Sequence, residues 1–190
     1  DNVTLSTQVD SKTITKLEIE LQSMFNEGYH EDVDLFFDYY DLAIQLCIEY
    51  NKYHQFEKTI NLVDDLFLNL KIDFYATFRM KLLVAKAFAL SDSNFEESEL
   101  LYREVIALCN TYFDNPEEYI KSMSEGYLPT ETDKELLDYE YRTWLDIGLS
   151  NLSVLYTKKG DYISALEVLQ ETADKDDYTY NNNIANIYGV

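Results

Sequence analysis

LSNLSVLYTKKGDYISALEVLQETADKDD, residues 149–177, carries two short apolar runs on either side of a turn. Leu152 and Tyr156 stand four apart before it, and Tyr162, Ala165 and Leu169 recur at three- and four-residue spacing after it, so each run puts its apolar side chains on one helical face. Gly160 permits the turn, because glycine accepts backbone conformations that other residues enter only at a cost. Ala165 is small enough to let the two helices approach closely, and Tyr156 with Tyr162 is expected to fill the space between them. The stretch reads as an antiparallel helical hairpin.

Outward from this hairpin the same spacing continues. Residues 16–28, 35–53, 78–90 and 136–160 all show apolar positions three and four apart, strict alternation is scarce, and the periodic stretches hold little Gly or Pro. The chain is therefore expected to be all-α. Asn94 to Glu97 and Thr132 to Glu135 have the spacing of a capping box, in which a side chain and a Glu three residues later satisfy amide donors at a helix start. Both prolines, Pro116 and Pro129, fall in 114–131, which reads as an insertion loop with a short helix starting at Pro116. Residues 1–11 are expected to be a flexible segment and 12–190 a single helical repeat domain whose last unit is cut off at Val190. A start at Asp1 and a stop within a helical pattern read as a piece of a longer chain.

Copies of the hairpin recur along the chain. Ala85, Phe88 and Ala89 precede a turn that Phe95, Ser98, Leu101, Tyr102 and Val105 follow; Leu46, Cys47 and Tyr50 precede another, followed by Phe56, Thr59 and Val63. After Tyr178, Ile184, Ala185 and Tyr188 repeat the spacing of Leu152, Ser153 and Tyr156. Phe56 and Phe95 are 39 residues apart and Phe95 and Tyr162 are 67 apart, the longer gap holding the insertion. The best unit, 149–177, resembles a tetratricopeptide repeat (TPR) on Leu152, Tyr156, Gly160, Tyr162, Ala165 and Leu169, with Ser153 and Thr172 at places where that family usually has Gly or Ala. The resemblance implies helical hairpins stacked in a right-handed superhelical solenoid, with a concave groove that binds peptides, helices or extended segments and no catalytic activity. Residues 78–90 and 142–169 are also similar to C-terminal repeats of the subunit-twelve family of trafficking-protein-particle (TRAPP) tethering complexes, which implies a scaffold within a multi-subunit assembly in vesicle traffic. An alternative likeness is to the peptide-binding repeats of Gram-positive quorum-sensing regulators.

Carried onto this chain, the family's groove positions are Ile147, Ser150, Val154 and Thr157 in the best unit and Asn182 and Asn186 in the last. Asn182 and Asn186 are four apart, hence on one face, and an amide side chain both donates and accepts for a bound backbone. The plain alternative is a polar helix start. Upstream the equivalents are Ile44, Ile48, Leu83 and Ala87, placed to grip a partner helix or to be filled by the chain itself. TPR domains that clamp acidic chaperone tails line these places with Lys and Arg, which this chain does not.

The charge balance narrows the partners. With 15 Lys and Arg against 36 Asp and Glu, the formal charge is −21, which excludes an ordinary nucleic-acid surface and disfavours an anionic membrane. No Lys or Arg lies between Lys16 and Lys52, where Glu27, Glu31, Asp32, Asp34, Asp38 and Asp41 gather with other acids. These read either as a solvated face or as a docking face for a protein or peptide with a basic surface. The cations Lys71, Arg79, Lys81 and Lys86 are placed to hold an acidic segment of the same chain or of a partner. At 46% hydrophobic and 15% aromatic the chain is too apolar for a disordered acidic tail.

Chemistry has little material. His30 and His54 flank turns, no His/Cys cluster has zinc spacing, and Asp174 to Asp177 lacks the Gly and terminal Glu of a calcium loop. No phosphate-binding glycine loop or nucleophile motif is present, so no catalytic, metal or cofactor residue is assigned. An enzyme of unknown type is the second alternative. Cys47 and Cys109 sit in apolar helical context and fit a reduced, cytoplasmic compartment, with no bilayer-length apolar run and no signal-like start.

Overall fold

A computed structural model describes residues 2–28, 33–69, 76–123, 131–171 and 178–189. Every regular element among them is a helix: α1 (Asn2–Glu27), α2 (Val33–Lys52), α3 (Phe56–Asn69), α4 (Ala76–Leu90), α5 (Phe95–Asp114), α6 (Pro116–Met123), α7 (Glu131–Lys159), α8 (Tyr162–Gln170) and α9 (Tyr178–Tyr188). The all-α expectation holds. Where the sequence reading expects a flexible segment over 1–11, α1 begins at Asn2. Where it expects one domain over 12–190, the chain divides into two compact units, 1–70 and 71–190.

In unit 1, α2 packs on α1 and on α3. Ile14 and Leu21 from α1, Tyr40, Leu46 and Cys47 from α2, and Val63 and Leu66 from α3 are buried. The α2–α3 turn is closed by bonds from the His54 N–H to the Asn51 carbonyl (3.1 Å) and from the Gln55 N–H to the Tyr50 carbonyl (2.8 Å). This is the Schellman arrangement that ends many helices, and it puts His54 in the left-handed region at φ 56°.

In unit 2, α4 packs on α5 and α7, α5 also on α6 and α7, and α7 on α8 and α9, which touch each other. Ala87, Tyr102, Leu152, Leu155, Tyr156 and Ala165 form a shared buried cluster. The α7–α8 turn repeats the arrangement at His54: the Gly160 N–H bonds the Thr157 carbonyl and the Asp161 N–H the Tyr156 carbonyl, both at 3.0 Å, with Gly160 at φ 80°. Asp161 then caps α8 by accepting from the Ser164 N–H (3.1 Å) and hydroxyl (2.8 Å).

Two capping expectations part ways. Asn94 does cap α5, its side chain accepting from the Glu97 N–H at 3.3 Å while its amide donates to the Glu97 carboxylate at 2.8 Å. Helix α7 already starts at Glu131, so Thr132 lies inside the helix and not at its cap. The insertion begins with a helix at Pro116, as expected, capped by Asn115 accepting from the Glu118 N–H at 3.3 Å; 124–130 lie outside the described residues.

The residues three after each turn aromatic, Thr59, Ser98 and Ala165, are all fully buried. Two of them fasten their helix to the preceding one: the Thr59 hydroxyl donates to the Cys47 carbonyl (3.4 Å) and the Ser98 hydroxyl to the Ala87 carbonyl (2.7 Å). Tyr162, expected in the hairpin core, is 51% exposed. Phe95 packs on Tyr156 instead, with ring centroids 5.9 Å apart, so the aromatic filling comes from the preceding hairpin.

Candidate functional site

Helix α7 packs on α4, α5, α8 and α9, and its sequence divides accordingly. Tyr141, Leu149, Leu152, Leu155 and Tyr156 are buried. Gly148 lies against α5 so closely that an added Cβ would stand 3.2 Å from a side-chain carbon of Ile106. On the other side, Ile147, Ser150, Val154 and Thr157 fall in one stripe at alternating three- and four-residue spacing, half-exposed or, for Val154, exposed. Upstream, steps of four, four and three residues bring Thr143, Tyr139 and Leu136 onto the same side, of which Leu136 is 63% and Tyr139 73% exposed.

None of these seven side chains is charged. The Thr143 hydroxyl donates to the Tyr139 carbonyl (2.9 Å) and the Thr157 hydroxyl to the Ser153 carbonyl (2.8 Å), which satisfies both within the helix and leaves the stripe largely apolar in character. The resemblance to one repeat reaches back only to Ile147, whereas α7 continues sixteen residues upstream of it.

The remaining nominated residues are placed as follows. Asn182 and Asn186 are exposed on α9, a helix packed on α7 and α8; their neighbour Asn183 is buried, with its Nδ2 making no hydrogen bond among the described residues. Leu83, Ala87 and Ile44 are buried in the protein's own core, while Ile48 is exposed. So the chain itself fills most of the upstream positions. Glu27, Asp38 and Asp41 are exposed, Glu27 accepting from the Ser23 hydroxyl at 2.9 Å. Glu31, Asp32 and the Asp34 side chain lie outside the described residues, as do His30, Lys71 and Thr172. Arg79 pairs with Glu104, and Lys86 with Glu97 at 3.1 Å, so these cations hold acids of the same unit.

Three polar clusters were not legible beforehand because their members are distant in sequence. In unit 1, Glu18 accepts from the Lys58 ammonium (2.8 Å) and the Tyr50 hydroxyl (2.7 Å). The Lys58 bond, working against burial and helped by Tyr50, holds the Glu18 carboxyl below its ordinary pKa. In unit 2, Glu99 accepts from Tyr156 (2.5 Å) and Arg103 (2.9 Å), and Arg103 also donates to the Tyr156 hydroxyl (2.6 Å). Burial works to raise the Glu99 pKa, but these bonds and the charges of Arg103 and Lys159 outweigh it and hold the carboxyl low. Further along, Tyr112 stacks on Tyr141 with ring centroids 4.1 Å apart and donates to Asp138 (2.6 Å), while Tyr141 donates to Tyr119 (3.0 Å).

Burial pushes the Cys47 and Cys109 thiols up to about 12, so both stay protonated at neutral pH. Among the described residues no group of His, Cys, Asp and Glu is placed to hold a metal ion, and no helix is long and apolar enough to cross a membrane. Comparison with family models, curated proteins and solved structures finds no match.

Proposed function

We propose that the chain is a non-catalytic scaffold of TPR-like helical hairpins that holds a partner protein within a multi-subunit assembly, with the uncharged face of α7 as a contact surface. The observation that carries this is the seven-position stripe from Leu136 to Thr157, free of charge in a chain with 36 acids and 15 bases and exposing Leu136, Tyr139 and Val154. Exposed apolar side chains grouped on one uncharged helical face have the character of a contact surface.

The TPR-like register is supported by the buried small residues Thr59, Ser98 and Ala165, each three after a turn aromatic, and by α4, α7 and α9 touching in succession as first helices of consecutive hairpins. In that family such first helices line the binding groove. The perturbed groups also favour binding over proton transfer: Glu18 and Glu99 are shifted down and Tyr50 and Tyr156 up, all away from neutrality. A vesicle-tethering complex is the kind of assembly to which the resemblance points.

The test is a pull-down from native extract with the wild-type chain and with Tyr139→Glu/Val154→Glu as baits. Both sites are exposed, so melting should be unchanged while stoichiometric partners disappear from the variant. The same partners on both baits would contradict the proposal. A short peptide held by the wild type, with no protein, would turn the reading to the peptide-sensor alternative.

A further inference from the structure

Unit 1 holds a second feature, independent of the α7 face: a cleft of about 640 Å³ between α1 and α3, floored by α2. Its apolar lining is Leu21 and Phe25 from α1, Tyr39 and Leu46 from α2, and Leu62 and Leu66 from α3. Gln22, Asn61 and Asp65 are exposed polar lining residues, and the Glu18, Lys58 and Tyr50 cluster lines it as well. We propose that this cleft takes the apolar face of a basic amphipathic helix from another protein.

Shape argues for a helix. The lining positions 18, 21, 22 and 25 on α1 and 58, 61, 62, 65 and 66 on α3 each run for about two turns, or roughly 10 Å at the rise of an α-helix. That matches a helical face with anchors at i, i+3 or i+4, and i+7. All three walls are helices whose backbone groups bond internally, so they offer no edge to an extended peptide, which would bury its own amides unpaired. A helix arrives with those bonds already made.

Charge argues for a basic one. Residues 1–70 hold four Lys or Arg against fourteen Asp or Glu. Among the described residues that line the cleft, the cation Lys58 is engaged by Glu18 at 2.8 Å. An acidic helix with the same apolar face would meet this field unfavourably; a basic one would be steered in by it.

The experiment uses fluorescent 14-residue helical peptides that share Leu at i, i+4 and i+7 and carry either Lys/Arg or Glu on the flanks, titrated against the 190-residue chain. The basic set should bind, weakening by about tenfold from 50 to 300 mM NaCl as screening removes the steering field, and the acidic set should not. Phe25→Glu, at a position 53% exposed and hence safe for folding, should weaken the basic set by about tenfold or more. Ile163→Glu, on α8 of unit 2 at a position 73% exposed, should leave it unchanged. Failure of every basic peptide to bind, equal binding of the acidic set, or equal binding to Phe25→Glu would each overturn the proposal, and none of these results bears on the α7 face.

Discussion

The hairpin turns at His54 and Gly160 use the same pair of backbone bonds, yet one places a histidine and the other a glycine in the left-handed conformation. The difference extends to the units around them. Unit 2 surrounds its turn with a core shared among α4, α5, α7 and α8, and braces the end of α7 with Lys158 bonded to Asp92 (2.8 Å) and Lys159 over the Phe95 ring (3.8 Å). Among its described residues unit 1 has three helices, a cleft between two of them, and an ionic clasp bridging α1 to α3. Both units rest on buried apolar cores, and the surface ion pairs that each adds are individually weak.

The largest effect that would break this contrast belongs to unit 2. Ala165→Trp forces a large ring into a fully buried site between α7 and α8, at a cost of roughly 1–3 kcal/mol or more. Hydrogen exchange should quicken across both helices; unchanged protection there would show that the hairpin register is wrong. Next come the turns themselves. Gly160→Ala puts a Cβ at φ 80° and should cost about 1 kcal/mol, whereas His54→Gly relieves a φ of 56° and should stabilise by about 0.5–1 kcal/mol after the entropy of an added glycine is subtracted. Opposite signs in denaturant midpoints are the expected result.

The smallest effect is the clasp of unit 1. Glu18 and Lys58 are substantially exposed, so Glu18→Gln should cost only about 0.2–1 kcal/mol. Because the folded carboxyl is held below its ordinary value of 4.5, its contribution is present in full above that value and is lost as the pH falls through the lower folded one. An acid titration of unit 1 stability should therefore show a component below pH 4.5 that vanishes in Glu18→Gln.

The hairpin was legible because its constraints are local. Gly160, Ala165 and the cap at Asn94 act over four residues or fewer, where spacing is informative. Exposure was not, since an apolar residue every three or four positions marks a core face and a binding face alike; Tyr162 is expected inside and lies outside, while Leu83 and Ala87, which the spacing leaves open between gripping a partner and being filled by the chain itself, are core. Nor was the break between the units near residue 70, where the sequence holds neither proline nor glycine. Glu18 and Lys58 are forty residues apart, and Arg103 and Tyr156 fifty-three, so only the fold brings them together.

Site-specific photocrosslinking tests the central claim most directly. A benzophenone side chain placed at 154 on the α7 stripe, and in a second protein at 163 on α8, compares an exposed position inside the proposed contact face with one outside it that is even more exposed, 38% against 73%. Crosslinks to the same stoichiometric partner from 154 and none from 163 are the predicted result. A partner captured from 163 as efficiently as from 154, or from 163 alone, would contradict the assignment of α7 as the contact face.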